Sequence, residues 1–562
     1  EATSVLASES ASIVKAMGII QQASREGNFS VTDLNQMANT LSHESALLNQ
    51  ELSRFHLPTP NQGGRITTST VLWQRLTFDP VDISANALGF IAKAVHATLV
   101  RYGEGAEMVP GLAERWEVLD QGMGYRFHLR RGAHFHNGRP IEAAAVRDSF
   151  LRVLSPDLKS SGSWILRSVR GASDVLSGKA KIAAGLIVRD SHTIDIMLEE
   201  PLAFFLSLLT MHQVSIVPVE ETHDREHFRL HASGAGPFRI VEAEDGRVVR
   251  LQKNADYWVQ GEPYVDELVF RLDLHSSRDV AQAFLDGELD IAHSLPLNIA
   301  AELRKDSRYA PYMSNTIQLH TSYLAWDCTS EPFNRAEVRQ AINYAIDRRR
   351  INEQVYAGLG MVAPSLLPPG LLGYDPNLRG FEYDPDRART LLRQAGLGAG
   401  FTIEYRTWDS DEFNNSGLVP CIVEDLAAIG IRVDVNRYGA IEARAPLARR
   451  GHGLLFCGNW YADFPDSDNF FYVFFHSDST ATAGIYYNSP ELDGQITAAR
   501  RSNDLEERAA IYRKLDEMVI REAPIACLFH ERFFVIHKPE VRGLKTSLVP
   551  PPVRYHVVWV EE

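Results

Sequence analysis

Along the first 57 residues, apolar positions recur alternately four and three apart. Leu6, Ile13, Met17, Ile20, Val31, Leu34, Leu41, Leu48, Leu52 and Phe55 fall on one seam, small residues fill its other positions, and no charge interrupts it. That rhythm predicts a coiled coil or helical bundle, about 75 Å long if continuous at 1.5 Å per residue. Gly27 with Asn28-Phe29-Ser30 marks a break, and Ser30 and Thr32 are caps for a second helix. Pro58, Pro60 and Asn61 to Gly64 make 58–65 a linker. From residue 66 the period changes. Short β-branched runs (Tyr125–Leu129, with period two, Thr193–Leu198, Val248–Leu251, Leu268–Leu272) predict strands, and amphipathic stretches predict helices over 336–356, 385–395, 419–429 and 505–522. Asp384-Pro385 reads as a helix start and Ala395-Gly396 as its stop. Strands alternating with helices over so long a stretch predict one large α/β unit with its sheets covered by helices.

Composition narrows the classes. A hydrophobic fraction of 45% with 23% charged residues is that of a globular chain. No stretch reaches the ~18 uncharged apolar residues of a membrane helix; the longest, 204–219, contains His212 and Gln213 and is cut by Pro218. A net charge of −15 argues against nucleic acid as the partner. Cys328, Cys421, Cys457 and Cys527 form no CxxC pair and leave the redox compartment open. Residue 1 is Glu, so the natural start, with any signal peptide, is expected upstream.

Enzymatic motifs fail on context. His223-Asp224-Arg225-Glu226-His227 fits HxxEH, a pattern that on a helix offers two imidazoles and a carboxylate base to zinc. Here it lies in a charged stretch with no apolar face and reads as a solvated connection. His530-Glu531 lacks the second histidine of HExxH. Gly396 to Gly400 follows a helix and precedes a strand, the reverse of a nucleotide loop. No GxSxG or Walker motif occurs. No enzyme, catalytic residue, metal or cofactor is expected.

Two resemblances add to this reading. AMGIIQQAS followed by VTDLNQMANTLSHESALLNQELSRFHLP resembles the C-terminal helical tail of a methyl-accepting chemotaxis protein, over about 50 residues and without that family's kinase-contacting tip. It implies helical self-association through residues 1–57. The alternatives are an amphipathic helix packed on the next domain and a DNA-binding helix-turn-helix over Val31 to Phe55. Against DNA, residues 1–57 hold three Lys or Arg and six Asp or Glu.

The second resemblance spans nearly all of 66–562. VPGLAERWEV (Val109–Val118), YRFHLRRGAHFHNGRPI (Tyr125–Ile141), VRDSFLRVLSP (Val146–Pro156), GAGPFRI (Gly234–Ile240), LQKNADYW (Leu251–Trp258), FLDGELDIA (Phe284–Ala292), PFNRAEVRQAINYAIDRRRI (Pro332–Ile351), LLPPGLLGYDP (Leu366–Pro376), YDPDRARTLLRQAGL (Tyr383–Leu397), NWYADFPDSDNF (Asn459–Phe470) and YYNSPELDGQI (Tyr486–Ile496) occur in order. Together they are similar to the bacterial extracellular solute-binding proteins of family 5, the peptide, opine and nickel receptors of ABC importers. The resemblance implies a two-lobed periplasmic-binding-protein-like fold. Lobe I is expected over about 66–325 and 516–562, with a subdomain over about 101–230, and lobe II over about 326–515. Trp116, Phe127, Phe135, Tyr257 and Trp258 are expected to pack, Gly132, Gly138, Gly234 and Gly236 to serve turns or close approaches, and Arg339 to form an internal salt bridge.

Through the resemblance, Gly458, Asn459, Trp460, Tyr461 and Asp463 line a ligand cleft, with Asp463 holding an α-ammonium. A buried cation needs an opposite charge, and strand addition supplies main-chain bonds. The alternative role for Asp463 is to cap the following loop. A second wall is expected at Ser84-Ala85-Asn86, after Asp79-Pro80; where peptide binders can carry a carboxylate, this chain has Ser84. Tyr461 is expected to narrow the pocket. The expected function is a receptor for an oligopeptide or related solute, partnered by an ABC permease and acting in the periplasm. The alternative is a sensor or regulator signalling through the N-terminal helices, cytoplasmic if their chemoreceptor likeness is genuine. An opine, nickel chelate or oligosaccharide stays open as the ligand.

Overall fold

The computed structural model divides the chain into units over Glu1–Pro60 and Asn61–Glu562. It describes residues 62–561 apart from 73, 84–85, 104–106, 409–416 and 550–552. The expected coiled coil, its chemoreceptor likeness and its self-association lie outside the described residues, as do Ser84 and Ala85.

The second unit is built on three groups of strands. Near its start, Arg65–Ser69 pairs parallel with Glu267–Arg271, which continues antiparallel into Val248–Lys253 and Phe238–Glu244. A three-stranded sheet of Ile291–His293, Arg532–His537 and Met313–Ile317 shares its core, through Ile291 and Val535. An antiparallel insert of Ala113–Leu119, Gly124–Leu129, Thr193–Met197 and Leu186–Asp190 has its own core, with Phe127, Ile194 and Phe150 of the helix Ala143–Val153 buried in it.

A six-stranded sheet forms the remaining layer, in the order Met361–Val362, Ile525–His530, His320–Trp326, Leu455–Tyr461, Phe401–Trp408, Ile431–Tyr438. Its first strands are antiparallel and its last three run parallel. Every residue of His320–Trp326 is buried, as a strand covered on both faces requires. Tyr323 and Ala325 enter the core built by the helices Asp468–Phe475 and Leu505–Glu522, while Leu324 and Trp326 enter the one built by Ala336–Ala345 and Leu418–Ala427.

The chain passes between the three- and six-stranded sheets through Gln318-Leu319 and back through Glu531. The passages are tied together: Gln318 N donates to Glu531 O at 2.9 Å, and Glu531 N to His320 Nδ1 at 3.2 Å. The lobe edges expected near 325 and 516 fall inside the strand His320–Trp326 and the helix Leu505–Glu522.

Several local expectations change. The helix expected over 336–356 is two helices, Ala336–Ala345 and Arg348–Tyr356, because the Asp347 side chain accepts from Arg350 N and caps a new start. Arg339 forms no ion pair among the described residues; it donates to the carbonyls of Phe333 and Glu522. The HxxEH stretch enters a short helix, Arg225–His231, with Asp224 as its cap and the rings of His227 and His231 stacked 4.7 Å apart. All four cysteines are free thiols.

Candidate functional site

The strand Leu455–Tyr461 ends at the passage between the sheets. Its register sets Gly458 opposite Tyr323 and Tyr461 opposite His320. A Cβ at Gly458 would stand 2.3 Å from Tyr323 Cζ, so only glycine fits there. Side chains alternate along the strand. Asn459 and Tyr461 are exposed, whereas Trp460 turns inward, its ring 5.9 Å from Phe474 and its Nε1 donating to Asn469 Oδ1 at 3.1 Å. Gly458 and Trp460, both expected at the ligand, are half-buried and packed against Tyr323 and Phe474.

Beyond Tyr461 the chain leaves the sheet. Ala462 N donates to Leu319 O at 2.8 Å, and Asp463 N to Asn469 Oδ1 at 3.0 Å. Three aspartates follow one another here, two in this loop and the third opening the helix Asp468–Phe475. Asp466 is buried against Arg508, 2.7 Å away, and its Oδ1 also accepts from Asp468 N. Asp468 is buried against Arg500 at 2.7 Å. Asp463 is exposed, and among the described residues no Lys, Arg or His forms an ion pair with it. Capping of this loop falls to Asp466 and Asn469, which leaves the Asp463 carboxylate facing outward. Solvent reaches it, yet the protein around it displaces enough water to raise its pKa above the ordinary carboxylate value, with the Asn469 amide pulling the other way.

Residues that the sequence reading missed contact its neighbours Tyr461 and Phe464. The Tyr461 ring lies 4.2 Å from that of His320, and its hydroxyl donates to the Glu531 carboxylate at the passage. Burial holds His320 neutral, its pKa pushed down to about 3. On the other side, Phe464 inserts into the insert's core, stacked on Phe204 at 5.0 Å and 6.3 Å from Trp164. The Trp164 ring is 39% exposed, unusual for so large an apolar group. A lone Trp after Ser160-Ser161-Gly162-Ser163 was the one signal available for it.

The chain just before residue 84, where a second wall is expected, is fixed by neighbours. Asp79 is locked by Arg152, at 2.6 and 2.5 Å, and Ile83 O accepts from Ser161 Oγ at 2.9 Å, three residues before Trp164. Asn86 opens the helix Asn86–Val95 immediately after. The backbone leading into 84–86 is thus pinned to the segment whose Trp164 faces the loop of Asp463. The arrangement offers an outward carboxylate in the loop after Leu455–Tyr461, with the exposed Tyr461 two residues before it and the partly exposed Trp164 ring 6.3 Å from that of Phe464. Among the described residues no group of three or more His, Cys, Asp or Glu could hold a metal, and no helix is long and apolar enough to cross a membrane.

Comparison with known proteins gives the family. The dipeptide-binding protein of Escherichia coli is 28% identical over 472 residues, covering 80% of this chain and 85% of its own. Heme-binding protein A of Haemophilus influenzae is 28% identical over 498 residues, 84% of this chain and 88% of its own. The periplasmic binding protein DppA from Helicobacter pylori, solved in complex with the peptide STSA, superposes with a TM-score of 0.75 at 27% identity, covering 89% of this chain and 99% of its own. Residues 107–482 match the model of the bacterial extracellular solute-binding proteins, family 5, middle region, and the chain belongs to that family.

Proposed function

We propose that this chain is the solute receptor of an ABC-type importer, acting on the outer side of the cytoplasmic membrane and closing two lobes on a short peptide or related amino-bearing solute. The passages at 318–319 and 531 are the hinge in this reading, the six-stranded layer forms one lobe, and the remaining sheets with the insert form the other. The observation that carries it is the outward, unpaired carboxylate of Asp463 beside the two guanidinium-locked aspartates. In a closed cleft it meets the ligand ammonium, whose desolvation would otherwise oppose binding. Tyr461 and Asn459, exposed on the same strand, join Asp463 at the ligand in this reading. The names of the relatives, a dipeptide-binding protein and a peptide complex among them, support a peptide. Ligand binding shifts the open–closed equilibrium by its preference for the closed form, and the closed form docks on the permease.

The test is thermal-shift and calorimetric binding of short peptides, each with a free and an acetylated amino terminus, to wild type and Asp463→Ala. Free-amine peptides are expected to bind wild type and to lose about 100-fold or more in affinity on removal of the carboxylate, since stripping one partner from a buried pair costs ~3–5 kcal/mol. Equal binding of acetylated and free peptides, or of both proteins, would remove Asp463 from the role.

A further inference from the structure

The histidine-rich stretch before Gly234 carries chemistry that the cleft does not use. Its spacing offers two candidate pairs, His223 with His227 and His227 with His231, and the fold makes only the second. Asp224, at φ −91° and ψ 87°, is non-helical and caps the helix Arg225–His231, its side chain accepting from His227 N at 3.0 Å. His223 lies before that cap, outside the helix, so it does not share a helical face with His227.

His227 and His231 do share one, because residues four apart on a helix stand one turn above each other. Their rings lie 4.7 Å apart, centre to centre, and 27° from parallel. Both residues are exposed. Among the described residues neither ring has a hydrogen bond or an ion pair. The frame beneath them is fixed. Phe228 is buried in the core of the first sheets, Phe78 N donates to Arg229 O at 2.8 Å, and Arg229 donates to Leu76 O. The charged side chains of the helix are engaged elsewhere, Glu226 with Arg75 and Arg229, and Arg225 with Asp82. The two imidazoles are left as the uncommitted lone-pair donors of the helix.

Their separation suits one metal ion. Metal–nitrogen bonds of about 2.0–2.1 Å at right angles, with ~1.1 Å from nitrogen to ring centre, hold two imidazole centres ~4.5 Å apart. The observed 4.7 Å is close to that value. Among the described residues no third His, Cys, Asp or Glu joins them in a group that could hold a metal, so water would fill the other positions. Two protein ligands make an exchangeable surface site, whereas a structural zinc would take four. Imidazole suits copper, nickel and zinc, and affinity rises from Ni2+ to Cu2+ and falls again at Zn2+.

We propose that His227 and His231 bind one divalent transition-metal ion on the exposed face of this helix, Cu2+ in preference to Ni2+ or Zn2+. The site shares no residue with the loop at Asp463 and is occupied independently of it.

Calorimetric titration of the full chain, free of any affinity tag, with CuCl2, NiCl2 and ZnCl2 tests this. One equivalent of Cu2+ is expected to bind, with Ni2+ and Zn2+ at least about ten-fold weaker. His227→Gln and His231→Gln are expected each to weaken Cu2+ by about ten-fold or more, and His223→Gln and Asp463→Ala to leave it unchanged. Electron paramagnetic resonance of the Cu2+ form should report two imidazole nitrogens in wild type and one in either variant. Both side chains are exposed, so the metal-free variants should melt with wild type. Failure of wild type to bind Cu2+, binding that survives both substitutions, or binding lost in His223→Gln would overturn the pair as the site. Zn2+ or Ni2+ binding as tightly as Cu2+ would overturn its preference, and loss in Asp463→Ala its independence.

Discussion

Asp463, Asp466 and Asp468 lie within six residues of one another and have the same side chain but meet different surroundings. Arg508 and Arg500 neutralise the two that are buried, and the exposed Asp463 has no such partner among the described residues. Its raised pKa has a consequence for binding. An ammonium ligand needs the ionised carboxylate, so affinity should decline as pH falls through the Asp463 pKa, beginning at a higher pH than an unperturbed aspartate would dictate. Titrating peptide affinity from pH 7.5 to 4.5 checks this, and an affinity flat over that range would contradict it. Gly458 makes a second residue-scale case. Gly458→Ala would force the new Cβ against the Tyr323 ring and should destabilise the fold by ~1–3 kcal/mol in chemical denaturation.

At the scale of elements, buried polar groups act as rivets between secondary structures. Arg339 fastens the C-terminal carbonyl of the helix Leu505–Glu522 to Ala336–Ala345, and Arg508 fastens the start of the same helix to Asp466. Arg508→Ala leaves the Asp466 carboxylate buried without its partner, and a loss of ~3–5 kcal/mol in stability is expected. In the same helix, Asp516 accepts from Ser365 Oγ at 2.6 Å and Leu366 N at 3.0 Å, and burial pushes its pKa up to about 7 from an ordinary 3.8. The folded state then keeps a proton that the unfolded state releases, so this residue's contribution to stability falls as pH rises between about 4 and 7. Asp516→Asn has no proton to lose, and its melting temperature should decline less than that of wild type from pH 5 to 7.5.

For the whole molecule, contacts join the six-stranded layer to the insert. Phe464 enters the insert's core, Ala203 N donates to Arg500 O at 2.9 Å, Arg501 pairs with Glu200, and Asn503 Nδ2 donates to Gln121 O at 3.1 Å. Phe464 carries most of the apolar burial among them. Phe464→Ser should shift the ligand-free equilibrium toward the open form, read as a larger radius of gyration in small-angle scattering and weaker peptide binding. An unchanged radius would mean that this contact does not govern closure.

The sequence by itself determined what local chemistry dictates. Asp384-Pro385 and Gly396 bound a helix wherever they are packed, because a capping carboxylate, a fixed φ and a left-handed glycine (φ 74°) act within a few residues. The order of motifs disclosed the family, and with it the neighbourhood of Asp463. The tertiary structure decided which carboxylate in that neighbourhood is available, since Arg500 and Arg508 arrive from more than thirty residues away along the chain. It also turned Trp460 inward toward Phe474, and brought Trp164 to Phe464 and Glu531 to Tyr461. Charge pairing and burial depend on distance in space, and the spacing of these residues in sequence carries no trace of it.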